Sequence, residues 1–244
     1  DEFAYRILAA WIERGQYGAD QLRTMAKQMT ANLEAGLGER GTDSVYLRTY
    51  SVLILMEIVA FDNANPFLDQ ADLDGFLEAA LGYLLRERDL RSWVPGPGWA
   101  NAIGHTADLL MMLARSPHLG VTELQRVLDA IADRLLTPAP VVFVHHEDER
   151  LAYATLNVLR RNLIDRTWLV AWLDRFTAAP GQESWRSAYA SEAESAARAN
   201  VTAFLRSLYF QLILTESPPP DAQRISDAVL VTIRRADIGF YDLA

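Results

Sequence analysis

Cysteine is missing from this chain of 244 residues. That absence excludes disulfide staples, thiolate metal centres and cysteine nucleophiles together. Lysine is nearly missing as well: Lys27 stands alone, and the other basic residues are arginines scattered singly or in pairs such as Arg160-Arg161 and Arg234-Arg235. No basic stripe forms, and the formal net charge is −9. A nucleic-acid partner is not expected, because phosphate neutralisation carries most of that affinity. The most apolar stretch, Val52 to Phe61, is interrupted by Glu57 and is too short to span a bilayer. No leader of basic, apolar and small-residue character opens the chain, so the expectation is a cytoplasmic protein without a membrane partner.

Catalytic signatures are equally scarce. Gly96-Pro97-Gly98 lacks the lysine and spacing of a phosphate loop, and Pro97 removes a backbone donor. There is no G-x-S-x-G elbow, and Ser184, Ser187, Ser191 and Ser195 fall at helical surface spacing. His145-His146-Glu147-Asp148-Glu149-Arg150 evokes a zincin helix, but Arg150 occupies the place of the second histidine. No cofactor or metal is expected.

What is present is helical periodicity. With 50% hydrophobic residues, a chain of this length can bury a full core unaided. Apolar residues recur at helical spacing almost throughout. Helices are expected over 3–14, with Phe3, Ile7, Leu8 and Trp11 on one face, and over 19–36. Others are expected over 45–61, 72–88, 99–115, 123–136 (opened by a Thr122/Gln125 capping box), 147–161, 166–178 (capped by Asp165), 184–215 and 221–237. Glycine and proline punctuate them at Gly36-Leu37-Gly38, Asn65-Pro66 and Pro180-Gly181, and most strongly at Pro95-Gly96-Pro97-Gly98. Val141 to Val144 suits a buried loop or a short extended piece. The six tryptophans suit the core, with Trp93 and Trp99 the best placed to line a pocket. Leu77 to Leu85 and Leu128 to Leu136 resemble each other at an offset of about 50 residues, close to helical-repeat periods. The expected fold is one all-α domain spanning 1–244, built of stacked antiparallel hairpins as in HEAT-like or armadillo-like α-solenoids. An irregular all-α globule is the alternative.

Three separated blocks carry a family resemblance. They are Glu87-Arg88-Asp89-Leu90-Arg91 with Gly98-Trp99-Ala100, His105 and Ala107-Asp108; Glu149-Arg150-Leu151-Ala152 after acidic residues; and Phe204-Leu205-Arg206-Ser207-Leu208-Tyr209. In this order they resemble the bacterial family known as domain of unknown function 2785. The resemblance implies helical-repeat structure and supplies no activity. Asn101 stands where a second histidine commonly follows Gly-Trp-Ala.

Asn101, His105, Asp108 and Met112 share one helical stripe. A carboxylate beside an imidazole serves acid–base chemistry, and it is also an ordinary way to satisfy both groups in a helix interface. If the two central blocks occupy equivalent positions of stacked hairpins, Trp99, Asn101, His105 and Asp108 would meet Glu149 and Arg150 in one polar cluster. The expected function is a scaffold that binds a protein or peptide. The alternative is an enzyme or small-ligand binder centred on His105, Asp108 and Glu149.

Overall fold

In the computed structural model, which describes residues 2–237 and 239–241, helix takes 68% of the residues and strand 2%. That is about twice the usual helix share, so the class is all-α. Two compact units divide the chain, Asp1–Glu123 and Leu124–Ala244.

Unit 1 is organised around α3 (Ser44–Ala64), which packs against α1 (Glu2–Glu13), α2 (Ala19–Asn32) and α5 (Ala102–Arg115). Val45, Val52, Leu55, Ile58 and Val59 of α3 are completely buried, as expected for a helix that is apolar all round. By length and composition α3 could cross a membrane, yet 56% of its most apolar stretch is buried among its neighbours. Asn65-Pro66 ends it. The turn that follows is held by the buried Asp62 carboxylate, which accepts from the Phe67 and Leu68 amides at 2.7 Å each. Asp69 then caps α4 (Gln70–Arg86) by accepting from the Asp72 amide, and α4 packs on α5.

Several boundaries differ from the sequence reading. Helix α2 stops at Asn32 rather than 36, dissolving into i→i+3 turns that run through Gly36, φ 65°, to Gly38, φ 95°. Residues 99–101 are not helical. A two-residue hairpin forms instead, β1 (Trp93–Val94) against β2 (Gly98–Trp99), with the Trp93 and Trp99 rings edge to face at 5.1 Å. Gly98 at φ 94° and Asn101 at φ 39° are both incompatible with a continuing α-helix. The apolar face of α1 is only partly covered: Phe3 is 73% exposed and Trp11 48%, Ile7 and Leu8 are half-buried, and Ile12 is buried.

Unit 2 contains α6 (Val121–Leu136, from Leu124 on), α7 (Glu147–Arg160), α8 (Arg166–Asp174), α9 (Glu192–Leu214) and α10 (Ala222–Ala236). Helix α9 packs against α7 and α10. The core is aromatic: Phe176 lies 5.0 Å from Trp172 and 5.5 Å from Phe204, measured between ring centres. Each buried indole has a partner, Trp172 donating to the Leu128 carbonyl and Trp185 to the Phe176 carbonyl. Asp165 caps α8 as expected, accepting from the Thr167 and Trp168 amides.

Two expectations about helix starts are corrected. The helix expected over 184–215 breaks at Ser191, whose backbone is extended and whose hydroxyl accepts from the Glu194 amide. A 3-10 segment, Trp185–Ala190, precedes that break. At the start of α6 the side-chain cap is Glu123, which accepts from the Gly120 amide, and Thr122 already lies inside the helix. Val141 to Val144 remains a loop, pinned by Asn200 to the Phe143 amide and the Val141 carbonyl. Only Phe143 of these four is buried; Val142 and Val144 are exposed.

Candidate functional site

The first family-like block folds into a polar lock. The Arg48 and Glu87 side chains are wholly buried, with Arg48 Nε donating to Glu87 Oε2 at 2.6 Å. Arg48 Nη1 also donates to the Ala35 and Gly36 carbonyls and to Ser44 Oγ. It thereby satisfies acceptors left over where α2 ends. Burial opposes the guanidinium charge and Glu87 outweighs it, so Arg48 is held above its ordinary value. The same burial, with the Glu87 carboxylate beside it, pushes the Tyr83 phenol well above its usual range. Glu87 Oε1 accepts from the Arg88 and Asp89 amides. Asp89 in turn accepts from the Gly41 amide and from Arg91, whose other contact is the Thr42 carbonyl. The block therefore ties the 35–44 segment to the end of α4.

Trp99, Asn101, His105 and Asp108 lie in unit 1, and Glu149 and Arg150 in unit 2. Asn101 is the N-cap of α5, in left-handed backbone, and its side chain accepts from the Gly104 amide. Asn and His are among the residues that tolerate this backbone best, which gives the position a conformational reason for either. His105 is 7% exposed; its Nδ1 is 2.7 Å from Thr49 Oγ1 and its ring 6.2 Å from that of Tyr50. Asp108, one turn on, is half-buried.

In unit 2, Glu149 is exposed and its carboxylate meets His146 Nδ1 at 3.0 Å. The neighbouring Asp148 accepts from Ser207 of the third block, and Gln211 donates to the Glu149 carbonyl. Arg150 is half-buried. Buried Glu147 accepts from the His145 amide. No group of three or more potential metal ligands occurs among the described residues. These contacts fasten α7 to α9, as the lock fastens unit 1.

A different feature has the form of a binding site. Between α1 and α2, above α3, lies an open trough of about 310 Å3. Tyr5 and Leu8 of α1 form one wall, Met29 of α2 the other, and Tyr46, Leu47, Tyr50 and Ile54 the floor. That volume is within the range of ligand pockets, which are typically apolar and aromatic with few polar groups. Hollows in unit 2 hold about 100 and 70 Å3. Part of the trough's polar lining is engaged locally: Asn32 donates to Ser51 Oγ, Ser51 to the Leu47 carbonyl, and Tyr5 to Glu57 at 2.6 Å, whereas the buried Tyr46 hydroxyl has no hydrogen-bond partner among the described residues. The Tyr46 phenol is pushed up by burial, against the pull of Arg91 and with Asp43 and Asp89 adding to the rise.

The trough escaped the sequence reading because α3 looks like core from end to end. Two signals point to it in hindsight. Tyrosines at 46 and 50 interrupt an aliphatic helix, and α1 is apolar on more than one face. His105 belongs to its supporting layer, since Tyr50 is both floor of the trough and neighbour of the His105 ring.

A family model described as protein of unknown function (DUF2785) matches residues 33–210. No curated protein and no solved structure matches the chain.

Proposed function

The chain belongs to the DUF2785 family, and from that premise we propose that it is a binding module, taking an apolar segment of a protein or peptide partner into the trough of unit 1. The observation that carries this reading is the lining: three tyrosines, a methionine and three aliphatic side chains facing an open channel between two helices. Tyr and Met are enriched where proteins bind one another, because they offer large adaptable contact area with a polar handle. Consecutive helices pack together in both units, as in α2 with α3, α4 with α5 and α9 with α10. This supports keeping the stacked-hairpin, HEAT-like description as part of the proposal, since such stacks expose grooves. The buried α3 supports a soluble protein, and the cytoplasm is kept as its proposed setting. An enzyme site at His105, Asp108 and Glu149 is the weaker reading, because His105 is enclosed and hydrogen-bonded to Thr49.

The test is a selection of random 16-residue peptides against the parent protein and against Leu47→Glu. Leu47 is 48% exposed, so the charge is tolerated by the fold while it spoils the floor. Peptides that bind the parent and lose at least about tenfold in affinity on Leu47→Glu support the reading. Enrichment of peptides indifferent to this change, or of none, refutes it.

A further inference from the structure

We infer that the occupant of the trough is an amphipathic helix with an apolar centre and basic residues towards both ends. This rests on the trough being a binding site, and it names the chemistry of the partner.

The geometry of the channel sets the first half. Its floor follows α3 from Tyr46 to Ile54, so the apolar strip is about 12 Å long at 1.5 Å per residue. Its walls are themselves helices. A channel of that form accepts the apolar face of another helix, read by side chains at i, i+3, i+4 and i+7.

Charge sets the second half. Unit 1 carries seventeen acidic and ten basic side chains, a balance of −7 out of the chain's −9. Four of its ten cations are paired internally: Arg48 with Glu87, Arg91 with Asp89, Arg23 with Asp72 and Arg86 with Glu34. Two acidic groups flank the floor of the trough, one beyond each end. Asp43 precedes the first turn of α3 and is close enough to act on the Tyr46 phenol. Glu57 lies one turn beyond Ile54 and holds the Tyr5 hydroxyl of the wall. Along α3 these carboxylates are about 20 Å apart, a separation that a helix of about fourteen residues spans. Arg91, the cation that acts on Tyr46, is already chelated by Asp89. A partner with basic ends is therefore attracted, and one with acidic ends repelled.

The experiment uses the whole chain and three labelled 16-residue helix-forming peptides that share one Leu/Met/Phe face and carry Lys, Gln or Glu near both ends. Binding is read by fluorescence anisotropy at low and high salt. Each exposed charge pair contributes about two- to fivefold, so the Lys peptide should bind about tenfold more tightly than the Gln peptide at low salt. The Glu peptide should be weakest, and the advantage should fade as salt shortens the screening length. Asp43→Asn with Glu57→Gln should remove most of the preference for Lys over Gln peptide; glutamine at 57 keeps an acceptor for Tyr5. Equal affinity for Lys and Gln peptides, with binding still lost on Leu47→Glu, overturns the charge inference and leaves the binding site standing. Absence of binding by all three peptides, alongside selected peptides sensitive to Leu47→Glu, overturns the helical occupant. Failure of both experiments removes the site itself.

Discussion

Replacing Glu87 by alanine strips a carboxylate from a guanidinium that has no access to water. Both side chains of the Arg48–Glu87 pair are fully buried, so the substitution leaves a charge uncompensated in the interior. Breaking such a pair by removing one partner costs about 3–5 kcal/mol. The Arg88 and Asp89 amides lose their acceptor in the same step. Domains have only about 5–15 kcal/mol of stability in total, so the loss is a large fraction of what unit 1 possesses. At about 4–8 °C per kcal/mol for a small domain, the unit 1 transition should fall by roughly 12–40 °C. Circular dichroism during thermal and urea unfolding measures it, with hydrogen exchange of α3 amides reporting unit 1 specifically. Two further variants separate charge from packing. Glu87→Gln keeps an acceptor for the two amides and should be milder than Glu87→Ala. Arg48→Met combined with Glu87→Gln removes the orphaned charge and should recover part of the loss, though not all, because Ala35, Gly36 and Ser44 still lose their donor. A Glu87→Ala protein within about 1 kcal/mol of the parent, or a double variant no better than Glu87→Ala, would refute the reasoning.

Other perturbations have equally definite outcomes. Gly98→Val should cost about 1–3 kcal/mol, since φ is 94° although the nearest side-chain atom to an added Cβ is a comfortable 3.8 Å away; an unchanged urea midpoint would contradict it. Gly104→Ala should destabilise α5, because its Cβ would fall 2.6 Å from the buried Asn101 Oδ1 and dislodge the cap. Asn101→Gly should be milder than Asn101→Ala, as glycine keeps the left-handed backbone and loses only the cap; the reverse order in melting temperature would count against that account. Burial raises the pKa of Asp89, but the Arg91 side chain and the Gly41 and Arg91 amides outweigh it and hold it below the ordinary aspartate value of about 3.8. Its contribution is therefore complete above that value and lost as pH falls through the depressed folded value. The stability gap between parent and Asp89→Asn should persist at neutral pH and close only below about 3.8; a gap independent of pH would argue against the ion pair.

How much of this was legible beforehand depended on whether the signal was local. The helices announced themselves by period, and Asp165 by its place before an apolar run, because capping and periodicity are decided within one or two turns. The hairpin at Trp93 to Trp99 was hidden: two-residue strands have no period, and it rests on positive φ at Gly96 and Gly98 and on two tryptophans meeting across it. The break at Ser191 was hidden too, as a serine cap inside a helical pattern reads like surface until the backbone is seen. Among site residues, His105 and Asp108 were singled out for their chemistry, yet His105 proved to be enclosed. Tyr46 and Tyr50 were passed over, because a tyrosine at a helical core position reads as core. Only the placement of α1 and α2 on either side of α3 separates floor from interior, and that is a long-range property of packing.

The span matched by the family runs from residue 33 to 210, and the trough straddles its edge. The floor residues Tyr46, Leu47, Tyr50 and Ile54 fall inside that span, as does the Arg48–Glu87 lock that fixes the start of α3. The walls, Tyr5, Leu8 and Met29, come before it. The lock and the floor are one construction, since Arg48 lies on the turn of α3 that carries Leu47 and Tyr50 and ties that turn to α4. What the matched span provides is thus a rigid apolar platform, and what closes it into a channel is supplied by α1 and α2. A platform of fixed geometry with separately supplied walls allows the occupant to change without disturbing the fold. Exchanging Tyr5, Leu8 and Met29 for smaller apolar residues should therefore shift which peptides bind while leaving the melting temperature nearly unchanged. The same exchange at Tyr50 should lower both, because Tyr50 also packs on His105. If wall and floor substitutions prove equally destabilising, α1 and α2 belong to the core of unit 1, and the trough is an accident of packing with no role in binding.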